Sequence, residues 1–475
     1  MKNINLSSFA LVLIGILLVN CTMGKREQVD PDYYPSASRF ANVLYVLDAK
    51  SKEGNIKTYA AHLVLNGKGE LIWEQEIVDA GEYEVILGYS VRKNGATASI
   101  AAGSDVIADS LDITEGVYEE NKDWYQFNCV RKLLKGTLNL SKGSNSIKLR
   151  IDVPDSAFES IIYALELVPL DKKSALISEV TEARKARPEM DWFRSMKYGV
   201  MFHWTSQSAP QSGPIILYPD AVRNFNVEAF VDMVTKTGAD YVIFTGNHAE
   251  PHFPGPLKAW EKEYPGSTTE RDLISEISDS LESRNIKFIL YLATHIYAKQ
   301  DKVDSKEFER LNIELISEIG ERYKEKIDGF WFDGFYQSYK SHPDFDFQKF
   351  YEICKRGNSD RLITLNSWLY PIVSEWQDYW AGEVYTPGTI PESHIIEKGP
   401  GKGLQFHSLV VLENDWVHEK LNTRIPSPRL ETDKLINYIS SCTGKGPVTI
   451  NLGIYQDGTI SDEALAAMEE VNEHF

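Results

Sequence analysis

The sequence predicts two domains of different class: an N-terminal all-β sandwich and a C-terminal α/β domain with a (β/α)₈ TIM-like barrel. Three observations predict them. The 475 residues exceed the length of one typical domain. Residues 41–170 contain at least seven short runs of alternating apolar and polar residues, separated by turn signals. From residue 191 onward, apolar strands alternate eight times with amphipathic helices, which is typical of a barrel.

The first 40 residues are interpreted as a targeting segment and a tether. Lys2 precedes an apolar run, 9–19, that is too short for a comfortable membrane span, and Cys21 closely follows it. A Cys at this place resembles a bacterial lipobox, which predicts a signal peptide in residues 1–21 and acylation of the Cys21 thiol. Residues 22–40 are polar and form a linker. We therefore expect a protein of the bacterial cell envelope, periplasmic or surface-exposed, whose lipid is its only membrane contact.

Residues 41–170 read as the β-sandwich. The turn signals Asn66-Gly67 and Lys93-Asn94-Gly95 separate strands of regular spacing. The predicted strands are 42–47, 58–65, 71–78, 83–91, 124–130, 146–153 and 161–168. Trp73 followed by 79–83 resembles the opening of galactose-binding-like sandwich modules. Two roles remain open for this domain, sugar binding and mechanical support of its neighbour.

Residues 171–190 form a charged, helix-favouring connector, and residues 191–475 form the barrel. The barrel strands are apolar on both faces, as a parallel sheet covered by helices requires. They are predicted at 198–204, 241–247, 287–293, 329–335, 362–368, 380–385, 403–411 and 447–453, with helices such as 273–284 and 307–324 between them. The alternative, an open doubly wound sheet, would need a Gly-rich phosphate loop after its first strand, and the sequence has none there.

The net charge limits the classes of binding partner, and the cysteine content limits the possible disulfide and metal sites. A net charge of −19 argues against a sequence-independent grip on nucleic acid phosphates. Beyond Cys21, the three cysteines Cys129, Cys354 and Cys442 are far apart and odd in number. Their spacing fits neither a disulfide framework nor a zinc motif, so we expect three buried free thiols.

Asp333 is the catalytic candidate that the sequence supports most strongly. Active sites of (β/α)₈ barrels form where the strands end, so polar residues at those points are of interest. Asp333 ends the apolar strand four, between Phe332 and Gly334. A carboxylate in such a setting favours a functional charge over a helix cap. Two carboxyl groups suffice for glycoside hydrolysis, and Asp333 fits the nucleophile.

The second carboxyl group should come from a neighbouring strand and should have a raised pKa, so that it can donate a proton at neutral pH. Glu383 on strand six is the first choice for this acid/base. Its rivals are Glu250, Glu375 and Glu392.

Other polar and aromatic residues at strand ends suit sugar binding. The imidazoles of His203 and His248 can bond to hydroxyl groups, and indoles can stack on a pyranose ring. The expected substrate-binding residues are His203, Trp204, His248, Glu250, His252, Tyr291, Trp331, Asn366 and Trp368. A weaker alternative reads His248-x-Glu250-x-His252 as zinc ligands. The favoured interpretation needs no metal and no cofactor.

Together these segments resemble the α-L-fucosidases of glycoside hydrolase family 29. The resemblance runs from about Trp192 to the C-terminus. Five places carry it: 196–204, 236–245, 271–273 with 287–291, 331–334, and 445–453 with 457–460. It implies a retaining mechanism, a non-reducing end similar to L-fucose and no metal, with Asp333 as nucleophile and His203 as a substrate ligand. The expected partner is an oligosaccharide or polysaccharide.

The sequence departs from the family pattern in the pocket rather than at the nucleophile. Where the family has paired histidines, this sequence has His248-Ala249. The family's Asn-x-Arg is replaced by Asn366-Ser367-Trp368, and the Thr-Pro-Glu of some members is replaced by Thr386-Pro387-Gly388. Three functions follow: a glycosidase of altered specificity, for example towards L-galactose; a standard fucosidase with a reshaped pocket; or an inactive protein that binds glycan at the cell surface. A binding protein would have no reason to keep a second carboxylate near Asp333.

Overall fold

The structure, a computed structural model, describes residues 42–475 except 60–61, 115–128, 155–158, 249, 295–302, 336–341, 343, 369, 371 and 400. The predicted signal peptide, Cys21, the linker and most of the predicted strand 124–130 lie outside the described residues. Within the described residues, no helix combines the length and hydropathy that a membrane span requires.

The N-terminal part is all-β, as predicted. Its nine strands pair antiparallel in the order β6-β5-β8-β3-β9-β4-β7, with β1 on β9 and β2 on β3. The strands are β1 (Asn42–Tyr45), β2 (Ser51–Thr58), β3 (Leu63–Ile77), β4 (Gly81–Ser90), β5 (Thr97–Ala102), β6 (Asp105–Ser110), β7 (Val130–Leu140), β8 (Gly143–Asp152) and β9 (Glu159–Pro169). The sequence prediction missed the hairpin of β5 and β6.

Strand β3 makes this one barrel-like sheet where two separate sheets were expected. Its first residues, 63–66, pair with β9, and residues 68–77 pair with β8. Between the two segments Gly67 has φ +78°, which lets the strand bend without ending. The predicted turn at Asn66-Gly67 is therefore wrong, and residues 63–65 and 71–77 of the two predicted strands belong to one strand, β3.

Trp73 is a core residue of this domain. Its side chain is buried, and its indole N–H donates to the Tyr45 carbonyl oxygen at 2.8 Å. Burial with a satisfied N–H is the usual state of a structural tryptophan. The segment that resembles sugar-binding modules therefore does not offer this indole to a ligand.

The C-terminal part is a parallel eight-stranded sheet with helices. Its order is β14-β13-β12-β11-β10-β17-β16-β15. The strands are β10 (Tyr198–Phe202), β11 (Tyr241–Asn247), β12 (Lys287–Ala293), β13 (Gly329–Asp333), β14 (Leu362–Leu365), β15 (Glu383–Tyr385), β16 (Ser408–Val411) and β17 (Val448–Asn451). Each lies inside a predicted strand. Strand β15 is shorter than predicted, and its pairing with β16 contains a register shift between Glu383 and Tyr385.

Helices cover this sheet where the sequence places start signals. The helices are α1 (Lys173–Ala186), α2 (Asp191–Ser195), α3 (Tyr218–Asn224), α4 (Val227–Thr237), α5 (Lys258–Glu263), α6 (Leu273–Glu282), α7 (Ser305–Tyr323), α8 (Phe347–Cys354), α9 (Thr432–Cys442) and α10 (Asp462–His474). Five of them begin after a side chain that accepts a backbone N–H of the first turn: Asn226, Asp272, Asp304, Asp346 and Ser461. Helix α1 lies in the predicted connector.

The two parts touch near the end of β14. The Tyr370 hydroxyl lies 2.5 Å from His62 Nδ1, and its ring stacks on Tyr163 with centroids 4.5 Å apart. His62 and Tyr163 belong to the N-terminal part, so the segment after β14 packs against the N-terminal sheet. The expectation of three buried free thiols is confirmed for Cys129, Cys354 and Cys442.

Candidate active site

A cavity of about 490 Å³ opens at the carboxyl ends of the parallel strands. Its lining combines residues from the ends of β10, β11, β13 and β15 with a loop that follows β16. The lining residues are His203, His248, Trp331, Asp333, Glu383, Asp415, Trp416, Val417, His418, Glu419, Lys420, Thr423, Arg424 and Pro426. Five of the predicted site residues thus meet in one cavity of a size that suits small ligands.

The Asp333 carboxyl group accepts hydrogen bonds from three donors among the described residues. The Tyr291 hydroxyl donates to Oδ2 at 2.7 Å, while the backbone N–H of Gly334 and the Asn366 amide donate to Oδ1 at 2.8 and 2.9 Å. Donors of this kind stabilise the charged form of a carboxyl group. Strand β13 fixes the backbone, so the carboxylate faces the cavity in a defined position.

Glu383 has the opposite environment. Burial, and then the negative charge of Asp333, together raise its pKa to about 8, although the hydrogen bond from Asn366 acts in the opposite direction. A carboxyl group with such a pKa keeps its proton at neutral pH and can donate it. Glu383 is therefore neutral beside the negative charge of Asp333.

Asn366 joins the two carboxyl groups. Its Nδ2 donates to Asp333 Oδ1 at 2.9 Å and to Glu383 Oε2 at 2.5 Å. These two oxygens are therefore at most 5.4 Å apart, the sum of 2.9 and 2.5 Å. Carboxyl groups about 5–5.5 Å apart are typical of retaining glycosidases, whereas inverting enzymes need about 6.5–9.5 Å.

His203 presents an acceptor to the cavity. Burial, and then the neighbouring His248, together lower its pKa to about 3, so the ring is neutral. Its Nδ1 lies 2.8 Å from Asn451 Oδ1, and the Asn451 amide in turn donates to the Trp416 carbonyl. Because Asn451 Oδ1 can only accept, Nδ1 carries the proton and Nε2 carries the lone pair. Nε2 is then suited to accept from a sugar hydroxyl.

The three rival acids lie elsewhere. The side chain of Glu250 is 51% exposed and pairs with His252 at 3.3 Å, and Glu392 is exposed; neither lines the cavity. Glu375 is buried and binds Arg184 at 3.3 Å and Arg187 at 2.6 Å. These ion pairs hold the helical connector against the rest of the C-terminal part.

Replacing Glu375 should therefore affect stability rather than chemistry. We expect E375A to lower the free energy of unfolding by about 3–5 kcal/mol, because it leaves two partly buried guanidinium groups without their carboxylate. Chemical denaturation followed by fluorescence measures this loss, and E392A serves as the exposed control with unchanged stability. A fully stable E375A protein with lost activity would restore Glu375 as an acid candidate.

Several residues expected to bind substrate have other roles. Trp204 is 1% exposed, and its indole N–H donates to the Gln456 carbonyl at 3.0 Å, so it packs in the hydrophobic core of the C-terminal part. Glu250 and His252 pair outside the cavity lining, and the His252 ring stacks on Tyr218. The Trp204 and His252 rings thus pack against other side chains and do not line the cavity.

Tyr291, Asn366 and Trp368 lie behind the cavity wall. Tyr291 and Asn366 are buried and contact the carboxyl groups. The Trp368 backbone N–H donates to Asn366 Oδ1 at 2.8 Å. All three contact the acids or Asn366, and their expected contact with substrate stays a prediction.

The loop after β16 was missed by the sequence analysis. It supplies more than half of the cavity lining, including Trp416 and His418. The Trp416 ring lies 5.5 Å from that of His203 and 6.2 Å from that of Tyr385. The rule used for the other strands, polar residues directly after an apolar run, also applies to 413–416 and would have found this loop.

The structure does not bring the three proposed zinc ligands, His248, Glu250 and His252, together around one point. His248 lines the cavity, whereas Glu250 and His252 face each other outside its lining. Across the described part of the chain, no group of three or more His, Cys, Asp or Glu side chains is arranged to hold a metal ion.

Comparison with known proteins gives one family. The model of a family described as alpha-L-fucosidase matches residues 219–475. Tissue alpha-L-fucosidases of Bos taurus and Homo sapiens are each 28% identical over 138 residues, 22% of this chain and 29% of the relative. The chain thus matches less than a third of the length of these curated relatives.

Solved structures of proteins described as alpha-L-fucosidases are similar to this chain, at low sequence identity. Alpha-L-fucosidase isoenzyme 1 from Paenibacillus thiaminolyticus is 16% identical, with a TM-score of 0.47, over 62% of this chain and 76% of that one. Alpha-L-fucosidase AlfC from Lactobacillus casei, in complex with α-L-fucose product, is 18% identical, with a TM-score of 0.42, over 60% of this chain and 97% of that one.

Proposed function

The chain belongs to the alpha-L-fucosidase family, and from this premise we propose that it is an exo-acting, retaining glycosidase. Its substrate is a terminal α-L-fucose or a related sugar such as L-galactose, at the end of an oligosaccharide or polysaccharide. The observation that carries the proposal is the pair of Asp333 and Glu383, two unlike carboxyl groups bound to one Asn366 nitrogen.

The mechanism follows from the charges of the pair. In the first step an Asp333 oxygen attacks the anomeric carbon while the bond from that carbon to the leaving oxygen breaks, and Glu383 gives its proton to that oxygen. In the second step Glu383, now anionic, takes a proton from water. The water oxygen attacks the anomeric carbon, and the ester bond to Asp333 breaks. Sugar and enzyme return to their starting protonation, with the anomeric configuration retained.

The walls of the cavity support binding of a single terminal sugar. His203 Nε2 offers an acceptor for a hydroxyl group, and the buried Trp331 ring, stacked on Tyr291 at 5.2 Å, offers an apolar edge. The inactive, glycan-binding alternative has no support from the site, because mere binding needs no protonated carboxyl group beside an ionised one. The family's paired histidines are His248-Ala249 in this chain, so the specificity for one sugar has to be measured.

We infer further that the parallel sheet closes into a (β/α)₈ barrel through an irregular sixth strand. The Asp378 N–H donates to the Ile363 carbonyl at 2.7 Å, and the Trp380 N–H donates to the Gln405 carbonyl at 3.0 Å. Residues 378–380 thereby connect β14 to the chain that leads into β16. A closed barrel brings Glu383 to the same rim as Asp333.

The cellular location is part of the proposal. The lipobox-like segment that ends at Cys21 supports a lipid anchor on the cell envelope. Labelling of wild type and C21A with a lipid precursor tests this anchor, and equal labelling of both proteins would contradict it.

A screen of aryl glycosides with protein lacking residues 1–21 tests the function. We expect hydrolysis of an aryl α-L-fucoside or α-L-galactoside and slower or no hydrolysis of aryl glycosides of D-sugars. Release of the aryl group measures the rate, and the anomer first released, read by NMR, measures the stereochemistry. Turnover of none of these glycosides, or first release of the inverted anomer, would contradict the proposal.

A further inference from the structure

The side-chain amide of Asn366 has only one orientation that fits its neighbours. Its Oδ1 accepts from the Trp368 N–H at 2.8 Å, and its Nδ2 faces two carboxyl oxygens. A flipped amide would turn its oxygen toward the Asp333 and Glu383 oxygens and its N–H groups toward the Trp368 N–H. Both contacts would then be repulsive, so the observed orientation is fixed by its surroundings.

The turn that carries this amide is itself rigid. Trp368 has φ +53°, a left-handed conformation that a tryptophan rarely adopts, and its N–H donates to Asn366 Oδ1. Two residues on, the Tyr370 N–H donates to the Ser367 carbonyl at 3.0 Å. The Tyr370 side chain is held by His62 and Tyr163 of the N-terminal sheet, as described above. The segment that follows Asn366 therefore also contacts the N-terminal part.

Asn366 is also completely buried and does not line the cavity. Its two amide hydrogens are each used by one carboxyl group of the pair. Since a single nitrogen makes both bonds, a shift of either carboxyl group weakens its hydrogen bond to Asn366 or displaces the other carboxyl group. The amide thus works as a fixed spacer between the two acids.

We propose that Asn366 is a positioning residue, whose single nitrogen sets the spacing of Asp333 and Glu383 and favours the anionic Glu383 of the second half-reaction. The proposal rests on the glycosidase function proposed above. Once Asp333 has formed its ester it carries no charge, and the amide hydrogen on Glu383 then stabilises the only anion left in the pair. Loss of the amide should therefore slow hydrolysis of the glycosyl-enzyme more than its formation.

Two variants test this role. N366D keeps the shape of the side chain but removes the donor, and N366A removes the amide altogether. Asn451, whose amide contacts His203 and Trp416 and neither acid, gives the control N451A. Thermal unfolding first establishes that each variant is folded.

The first measurement is an infrared titration of the carboxyl bands, in which the band lost in E383Q identifies Glu383. Because a hydrogen bond to the charged form lowers a pKa, its removal should raise the pH at which Glu383 titrates by roughly one unit or more in both Asn366 variants. N451A should leave this titration unchanged. An unchanged titration in N366D and N366A would overturn the proposal.

The second measurement is kinetic. We expect kcat of the Asn366 variants on an aryl substrate to fall by on the order of 10²-fold, with a burst of aryl release that shows accumulated glycosyl-enzyme. A fall in kcat without a burst and without a shift of the pH profile would mark Asn366 as merely structural. If wild type cleaves no glycoside, the proposed function fails, whereas the infrared titration still decides the role of Asn366.

Discussion

D333N should reduce kcat/KM on every cleaved glycoside by on the order of 10⁴-fold or more, because the amide cannot attack the anomeric carbon. The substitution preserves the shape of the side chain, and strand β13 fixes the backbone beneath it. We therefore expect an unchanged melting temperature and retained binding of the free sugar, measured by calorimetry. The rate of aryl release from purified D333N, compared with wild type, measures the loss.

A covalent label makes this expectation specific. A slow fluorinated glycoside should leave the wild-type enzyme with a sugar esterified to the peptide that contains Asp333, found by mass spectrometry. D333N should carry no such label. Full turnover by D333N, or a label on another carboxyl group, would remove Asp333 from the mechanism.

E383A should affect substrates according to their leaving group. General acid catalysis contributes typically 10²–10⁴-fold, and an alkyl or sugar leaving group needs the whole of it. An activated aryl group leaves without a proton, so its first step should be nearly unaffected. Azide, which needs no base, should speed the second step and yield a glycosyl azide of retained configuration. Rates on a matched pair of natural and aryl substrates measure the difference.

The pH dependence follows from the same carboxyl group. Burial and the charge of Asp333 raise the pKa of Glu383 to about 8. The proton needed in the first step is therefore present at neutral pH and is lost as the pH rises through about 8, so kcat/KM should fall above that pH. In E383Q this alkaline limb should be absent. Equal losses on good and poor leaving groups, or an alkaline limb that survives in E383Q, would point to a different acid.

Local patterns were enough to predict much of the fold. Apolar runs bounded by turn and capping residues located all eight parallel strands and helices such as α6 and α7. The N-terminal sheet was harder, because the alternation of apolar and polar residues shows that a segment is a strand and not which strand it pairs with. The bend at Gly67 looks like a turn in sequence and is a bulge within one long strand.

The site was only partly predictable for a similar reason. Asp333, His203 and Glu383 follow apolar strands, and the strand-end rule found them together. The same rule could not separate Trp204 from Trp416, since both follow strands and only packing decides that one is in the core and the other in the cavity wall. Glu375 and Glu392 were excluded as rivals by burial and by position.

The sequence by itself determined which segments are strands and helices and that a carboxylate ends the fourth parallel strand, because these depend on residues adjacent in the chain. The tertiary structure decided which acid faces Asp333 and what Asn366 does. Asn366 stands 33 positions from Asp333 and 17 from Glu383. Distances between residues so far apart, and the burial that sets their charge, arise only when the sheet is assembled.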